Sequence, residues 1–246
     1  MDRFYQEIGE NLNRLGVKVL LFDLDDTLIY TGEMFIKYMN EYVEVVAQET
    51  GLPREQVDEC LKRLNDEEYK AMGVNPARWG VVVSKVAMEL VGHEDSVLKN
   101  LSILMKIYEE TPRLRSGATA VLEILKEAGI KMALVTHANV EWTQRKLQST
   151  GLANYFETIV IVDENKHKSE EDWLEAVDKM GVLPDECLIL GDNLGGDIIP
   201  AANIGARTMW LHNGSTWSVY RTGTVPESTF HLDEITQLLS ALGRLR

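Results

Sequence analysis

Five short apolar runs are spaced along the chain, and they limit its possible folds more than any other feature. They are VKVLLF (17–22), KMALVT (131–136), TIVIV (158–162), CLILGD (187–192) and RTMWL (207–211). Runs of this length between turn residues read as strands buried on both faces. The stretches between them have a helical pattern. GATAVLEILKEAG places Val121, Leu125 and Ala128 on one face and stops at a glycine, and SEEDWLEAVDKMG repeats this with Trp173, Val177 and Met180. Strands alternating with helices predict an α/β fold, a parallel sheet with right-handed crossovers.

One segment breaks the alternation. From Glu33 to Pro112 only helical patterns occur. MFIKYMNEYVEVVAQETG carries Phe35, Met39, Tyr42, Val43 and Val46 at helical spacing, and PREQVDECLKRLNDEEYKAMG starts with a proline, as helices often do. ARWGVVVSKVAMELVG and SVLKNLSILMKIYEE complete four helices. The predicted organisation is a sheet core from residues 1–30 and 113–246, with an all-helical domain inserted at 31–112.

In open parallel sheets, ligands bind beyond the carboxyl ends of the strands. The first run delivers Asp23, Asp25, Asp26 and Thr27 there, and the second Thr136, His137 and Asn139. The third leads into DENKHK, with Lys166 and Lys168, and the fourth delivers Asp192, Asn193 and then Asp197. Carboxylates at the end of a buried strand are costly unless something compensates them. A hard cation such as Mg²⁺ takes oxygen ligands and would do so. A metal, a lysine and a hydroxyl can together hold three phosphoryl oxygens, while a carboxylate among them attacks phosphorus. In the insert, the turn-rich connection MGVNPARWG carries Asn75, Arg78 and Trp79, which could bind a polar or anionic leaving group.

Composition narrows the partners. The formal charge is −14, which argues against nucleic acid and against an anionic membrane surface. Cys60 and Cys187 are far apart and outside any zinc-type spacing. The N-terminus lacks a signal-peptide core, and no apolar stretch approaches the roughly 20 residues that span a bilayer. The expectation is a cytoplasmic monomer or homodimer whose partner is a small phosphorylated metabolite.

Taken in order, these motifs resemble the haloacid dehalogenase-like hydrolase superfamily, phosphatase branch. FDLDDTL is similar to its first motif, Asp-x-Asp-x-Thr after an apolar strand, and MALVTHA to the second. KHKSEEDWLEAV resembles the lysine motif that opens a helix, and ILGDNLGGDIIPAANIGARTMWL the acidic fourth motif. The resemblance covers nearly the whole chain and implies a Rossmann-like core with a helical cap. It implies Asp23 as nucleophile and metal ligand, and Asp25 as general acid and base whose backbone carbonyl reaches Mg²⁺. Thr136 and Lys168 would bind the phosphoryl group, with Thr27, His137 and Arg78 as further substrate contacts. Asp192 would ligate the metal, and Asp197 would ligate it through water or pair with the lysine.

Two positions depart from the family pattern. Ser169 follows Lys168 where proline is usual, and Lys166 is the alternative motif lysine. His137 stands where asparagine is common and reads equally as a substrate contact or a turn cap. The implied activity is Mg²⁺-dependent phosphate hydrolysis through an aspartyl-phosphate. A phosphomutase would reuse the same intermediate. A 2-haloacid dehalogenase would not need Asp25, and a receiver-like signalling domain would present its acidic pair before the acceptor and carry no helical insert.

Overall fold

A computed structural model describes residues 2–92, 98–212 and 223–242. At its centre is an all-parallel sheet in the order β3-β2-β1-β4-β5-β6. The strands are β1 (Val19–Phe22), β2 (Lys131–His137), β3 (Thr158–Val162), β4 (Cys187–Gly191), β5 (Arg207–Leu211) and β6 (Phe230–Leu232). The five apolar runs thus form strands within one or two residues of their predicted ends. The last strand was not predicted, because Phe-His-Leu is too short to carry a pattern.

Strand periodicity divides the apolar residues between two faces. Leu20, Phe22, Met132, Leu134, Leu188 and Leu190 face one side. There they pack on α1 (Asp2–Arg14), α6 (Ala118–Glu127) and α10 (Gln237–Leu242). Val19, Leu21, Ala133, Val135 and Ile189 face the other, under α8 (Glu170–Met180) and α9 (Ile199–Asn203). The chain runs outward from β1 to β2 and β3, then returns to start β4 on the opposite flank of β1. The order therefore reverses beside β1 and β4, where such sheets open a crevice.

Between β1 and β2 lie α2 (Thr31–Thr50), α3 (Arg54–Met72), α4 (Arg78–Leu90) and α5 (Leu101–Met105). Tyr42, Val46, Val57, Leu61, Trp79, Val82 and Leu104 form a separate apolar cluster among them. Each large side chain so buried contributes about 1.5–3 kcal/mol. α2 stops at Gly51, whose left-handed φ of 71° lets its N–H cap the Ala47 carbonyl. The fourth predicted helix is shorter than its pattern. It tightens into a 3₁₀ turn at Lys106–Tyr108, and its first residues, 96–97, lie outside the described segments.

The two chain segments joining insert to sheet run side by side. Tyr30 N–H donates to the Arg113 carbonyl at 2.8 Å and Arg115 N–H to the Leu28 carbonyl at 2.9 Å. Both arginines stack on the Tyr30 ring. A second contact lies opposite. Val74 N–H donates to the Glu164 carbonyl at 3.0 Å, Asn75 Nδ2 to Asn165 Oδ1 at 2.7 Å, and His167 Nε2 meets the Lys70 carbonyl at 3.2 Å. Gly73 is required there: its φ is 60°, and a Cβ would come within 2.4 Å of the Glu164 carbonyl oxygen.

Candidate active site

β1 and β4 end side by side, so Asp23 and Asp192 face each other across the crevice. Asp23 N–H donates to the Leu190 carbonyl at 2.9 Å, which extends the ladder to the edge. The chain then turns sharply, with the Leu24 carbonyl accepting from Thr27, Leu28 and Ile29 N–H. Asp26 takes a left-handed φ of 58° in this turn. Its carboxylate accepts from Gly32 N–H at 2.8 Å, capping the first turn of α2. Burial raises Asp26 to about 6.

The turn draws Thr27 fully inside, and it does not line the cavity. Thr136 is also fully buried and off the cavity lining. Its hydroxyl, like that of Thr27, has no hydrogen-bond partner.

Lys168 precedes α8. Its ammonium donates to Asp23 Oδ1 at 2.6 Å, Asp197 Oδ1 at 2.7 Å and the Val135 carbonyl at 3.0 Å. Burial opposes its charge, but the two carboxylates outweigh burial and hold the lysine above its usual value. Lys166 is exposed, in the turn that docks Gly73. Ser169 and Asp172 form a capping box, so α8 starts by hydrogen bonding where a proline would otherwise set the turn.

After β4, Asn193 N–H donates to Asp197 Oδ2 at 3.0 Å, and Asn193 Oδ1 accepts from Gly196 N–H at 3.0 Å. This folds Leu194–Ile198 into a π-helical turn that returns Asp197 to the strand end. Only glycine fits at 191, because a Cβ would lie 2.3 Å from Asp197 Oδ2.

Asp23, Asp192 and Asp197 each offer an oxygen within 4.8 Å of the others. Lys168 is the cation bonded to this group, and Asp192 Oδ2 is buried without a partner. Burial, then the neighbouring Asp26, Asp23 and Asp197, raises Asp192 well above the carboxylate range, and burial chiefly raises Asp23. With all three ionised, the carboxylates against one ammonium would leave two negative charges, which fits a divalent cation with oxygen ligands. The Asp25 carboxylate is not in this group. It receives both contacts of Lys146 Nζ, at 2.6 and 2.7 Å, and a hydrogen bond from the Thr31 hydroxyl.

Lys146 lies in α7 (Val140–Thr150), is 1% exposed, and sits 4.0 Å above the Trp142 ring. Sequence reading missed it. Its only local signal is the Trp142–Lys146 spacing of four, which puts both on one helix face. His137 lines the cavity half-buried, with Nε2 unpartnered. Burial first, then Lys168, lowers it to about 4. Arg78 lines the same cavity from the insert and is 3% exposed. The cavity holds about 490 Å³, space for one small ligand. Among the described residues no helix is long and apolar enough to cross a membrane.

This carboxylate and lysine cluster lies at the switch point of a parallel sheet, where folds of this class bind their ligands. Residues 17–205 match the haloacid dehalogenase-like hydrolase family, and the chain belongs to it. Pyrophosphatase PpaX of Halalkalibacterium halodurans is 28% identical over 197 residues, covering 79% of this chain and 83% of its own. Glyceraldehyde 3-phosphate phosphatase of Pyrococcus furiosus is 26% identical over 250 residues, covering 93% and 94%. A haloacid dehalogenase-like hydrolase from Xanthomonas campestris shares the fold, with a TM-score of 0.73, 12% identity, and 94% and 92% coverage.

Proposed function

We propose that the chain hydrolyses a small phosphate ester or anhydride, dependent on Mg²⁺, through an aspartyl-phosphate on Asp23. The observation that carries this reading is Lys168 bridging Asp23 and Asp197 beside the unpartnered Asp192 oxygen. Asp23, Asp192 and Asp197 would hold the divalent ion, which when bound supplies Lewis-acid polarisation of a phosphoryl oxygen.

A carboxylate oxygen of Asp23 forms a bond to phosphorus as the bond to the leaving oxygen breaks. Asp25 gives that oxygen its proton, then takes a proton from water as the water oxygen attacks phosphorus. The Asp23–phosphorus bond breaks and inorganic phosphate leaves. Lys168 places its charge where negative charge develops on the phosphoryl group. The unpartnered hydroxyl of Thr136 supports a second phosphoryl contact. Lys146 and Thr31 hold Asp25 in place between the two steps. The inserted helices act as a cap that excludes water from the intermediate.

Asp23→Asn keeps the shape and removes the attacking charge. With folding checked by circular dichroism, it should lose at least about a thousandfold in turnover of p-nitrophenyl phosphate. Retention of more than about a tenth of wild-type turnover excludes covalent catalysis at Asp23.

A further inference from the structure

We infer that Arg78, aligned by Asn65, is an anion subsite that selects phosphorylated substrates whose leaving group carries its own negative charge. This rests on the phosphatase reading and deepens it by naming the substrate class.

Lys146 and Lys168, the buried lysines of this site, both bond to carboxylates. Arg78 is as deeply buried and, among the described residues, has no carboxylate within ion-pairing distance. Its Nε donates to Asn65 Oδ1 at 3.2 Å, while Nη1 is buried with no partner. The guanidinium lies 4.9 Å from the Trp79 ring and 5.9 Å from that of Phe35. The Tyr108 hydroxyl also meets the guanidinium, so the group is held in orientation while Nη1 keeps its donor capacity.

A buried cation without a counter-ion is costly, and an apolar side chain would fill the space at less cost. A ligand anion removes that cost, and guanidinium geometry suits carboxylate or phosphate oxygens. Asp66 and Lys70 are the other charged groups that line the cavity from the insert. Asp66 makes no ion pair with Arg78, so the guanidinium is not neutralised from α3.

The placement fixes the order of groups in the substrate. Asp23 and Lys168 take the transferring phosphoryl group on the sheet side. Arg78 lines the same cavity from the insert, where the leaving group must lie.

The test compares kcat/KM with Mg²⁺ for three substrates. Pyrophosphate leaves as phosphate, 2-phosphoglycolate as a carboxylate-bearing alcohol, and glycerol 3-phosphate as a neutral alcohol. The wild-type protein should favour one or both charged leaving groups over the neutral one by at least about tenfold, and the better of the two identifies the anion. Arg78→Met should lower that preference by about tenfold to a hundredfold, the range of a charge-assisted contact. Calorimetric titration of the Asp23→Asn protein with 2-phosphoglycolate and glycerol 3-phosphate reads the same preference without Arg78→Met having to fold. Hydrolysis without charge preference, or an equal loss on all three substrates in Arg78→Met, overturns the inference and leaves the phosphatase reading standing. No hydrolysis of these substrates or of p-nitrophenyl phosphate overturns both.

Discussion

Gly73→Ala tests whether contact between the insert and the β3–α8 turn is needed for turnover. The residue has φ 60° and ψ −138°, a region essentially restricted to glycine. An added Cβ would stand 2.4 Å from the Glu164 carbonyl oxygen and 2.7 Å from that of Lys166. Both are backbone atoms, so neither can rotate aside. Backbone strain alone costs about 1–3 kcal/mol. Lifting the segment to relieve the clash also loses the Val74–Glu164 and Asn75–Asn165 hydrogen bonds, at about 0.5–1.5 kcal/mol each. A combined cost of about 2–6 kcal/mol should lower the docked population, and with it kcat/KM, by at least about 30-fold. The control is Gly51→Ala, also at positive φ, where a Cβ meets nothing within 4 Å. It should cost about 1 kcal/mol of stability and no activity. The assay is kcat/KM for each variant, with limited proteolysis of the Met72–Asn75 segment as an independent readout of docking. If Gly73→Ala stays within threefold of wild type, or loses no more activity than Gly51→Ala, docking at this turn does not govern turnover.

Two further outcomes are expected. Mg²⁺ at about a hundred times its Kd should stabilise the protein by about 2.7 kcal/mol, a rise of roughly 5–10 °C in Tm; EDTA should abolish both this and activity, and Asp192→Asn should remove the shift, whereas a wild-type Tm indifferent to Mg²⁺ refutes the metal assignment. His137 is lowered from 6.5 to about 4 by burial, so below pH 6.5 the unfolded chain binds the proton first and stability falls as pH drops towards 4, by about 3 kcal/mol at most. Urea denaturation across that window should show His137→Gln with a flatter pH dependence than wild type, and identical slopes exclude the burial of a neutral ring.

What the sequence reveals depends on how local each feature is. The five longer strands are legible because each is an apolar run bounded by turn residues. Helix α1 was legible too and was missed, since Ile8, Leu12 and Leu15, all buried, follow the i, i+4, i+7 spacing of an amphipathic helix. Lys168 and Asp197 could be placed at strand ends by counting from an apolar run, which requires only the sheet. Lys146 could not, because its meeting with Asp25 joins residues 121 positions apart through the packing of α7. The burial of Thr27 follows from the tight turn at Leu24, which the motif's spacing does not encode. Docking of Gly73 on the Glu164 turn is likewise tertiary, and a glycine after a helix reads first as a simple stop.

The paired linkers at Tyr30 and Arg113 bear on the route by which the chain folds. β1 and β2 are neighbours in the sheet, yet residues 23–130 separate them, a long loop to close before the pairing gives any return. The insert has its own apolar cluster, and its two ends meet where Tyr30 N–H reaches the Arg113 carbonyl. Once residues 31–112 have condensed, the loop still to be closed is roughly fourfold shorter, which lowers the entropic cost of pairing β1 with β2 by about 1 kcal/mol. The helices that cover the site would then also act earlier, as a clamp bringing the two central strands of the sheet within reach of each other.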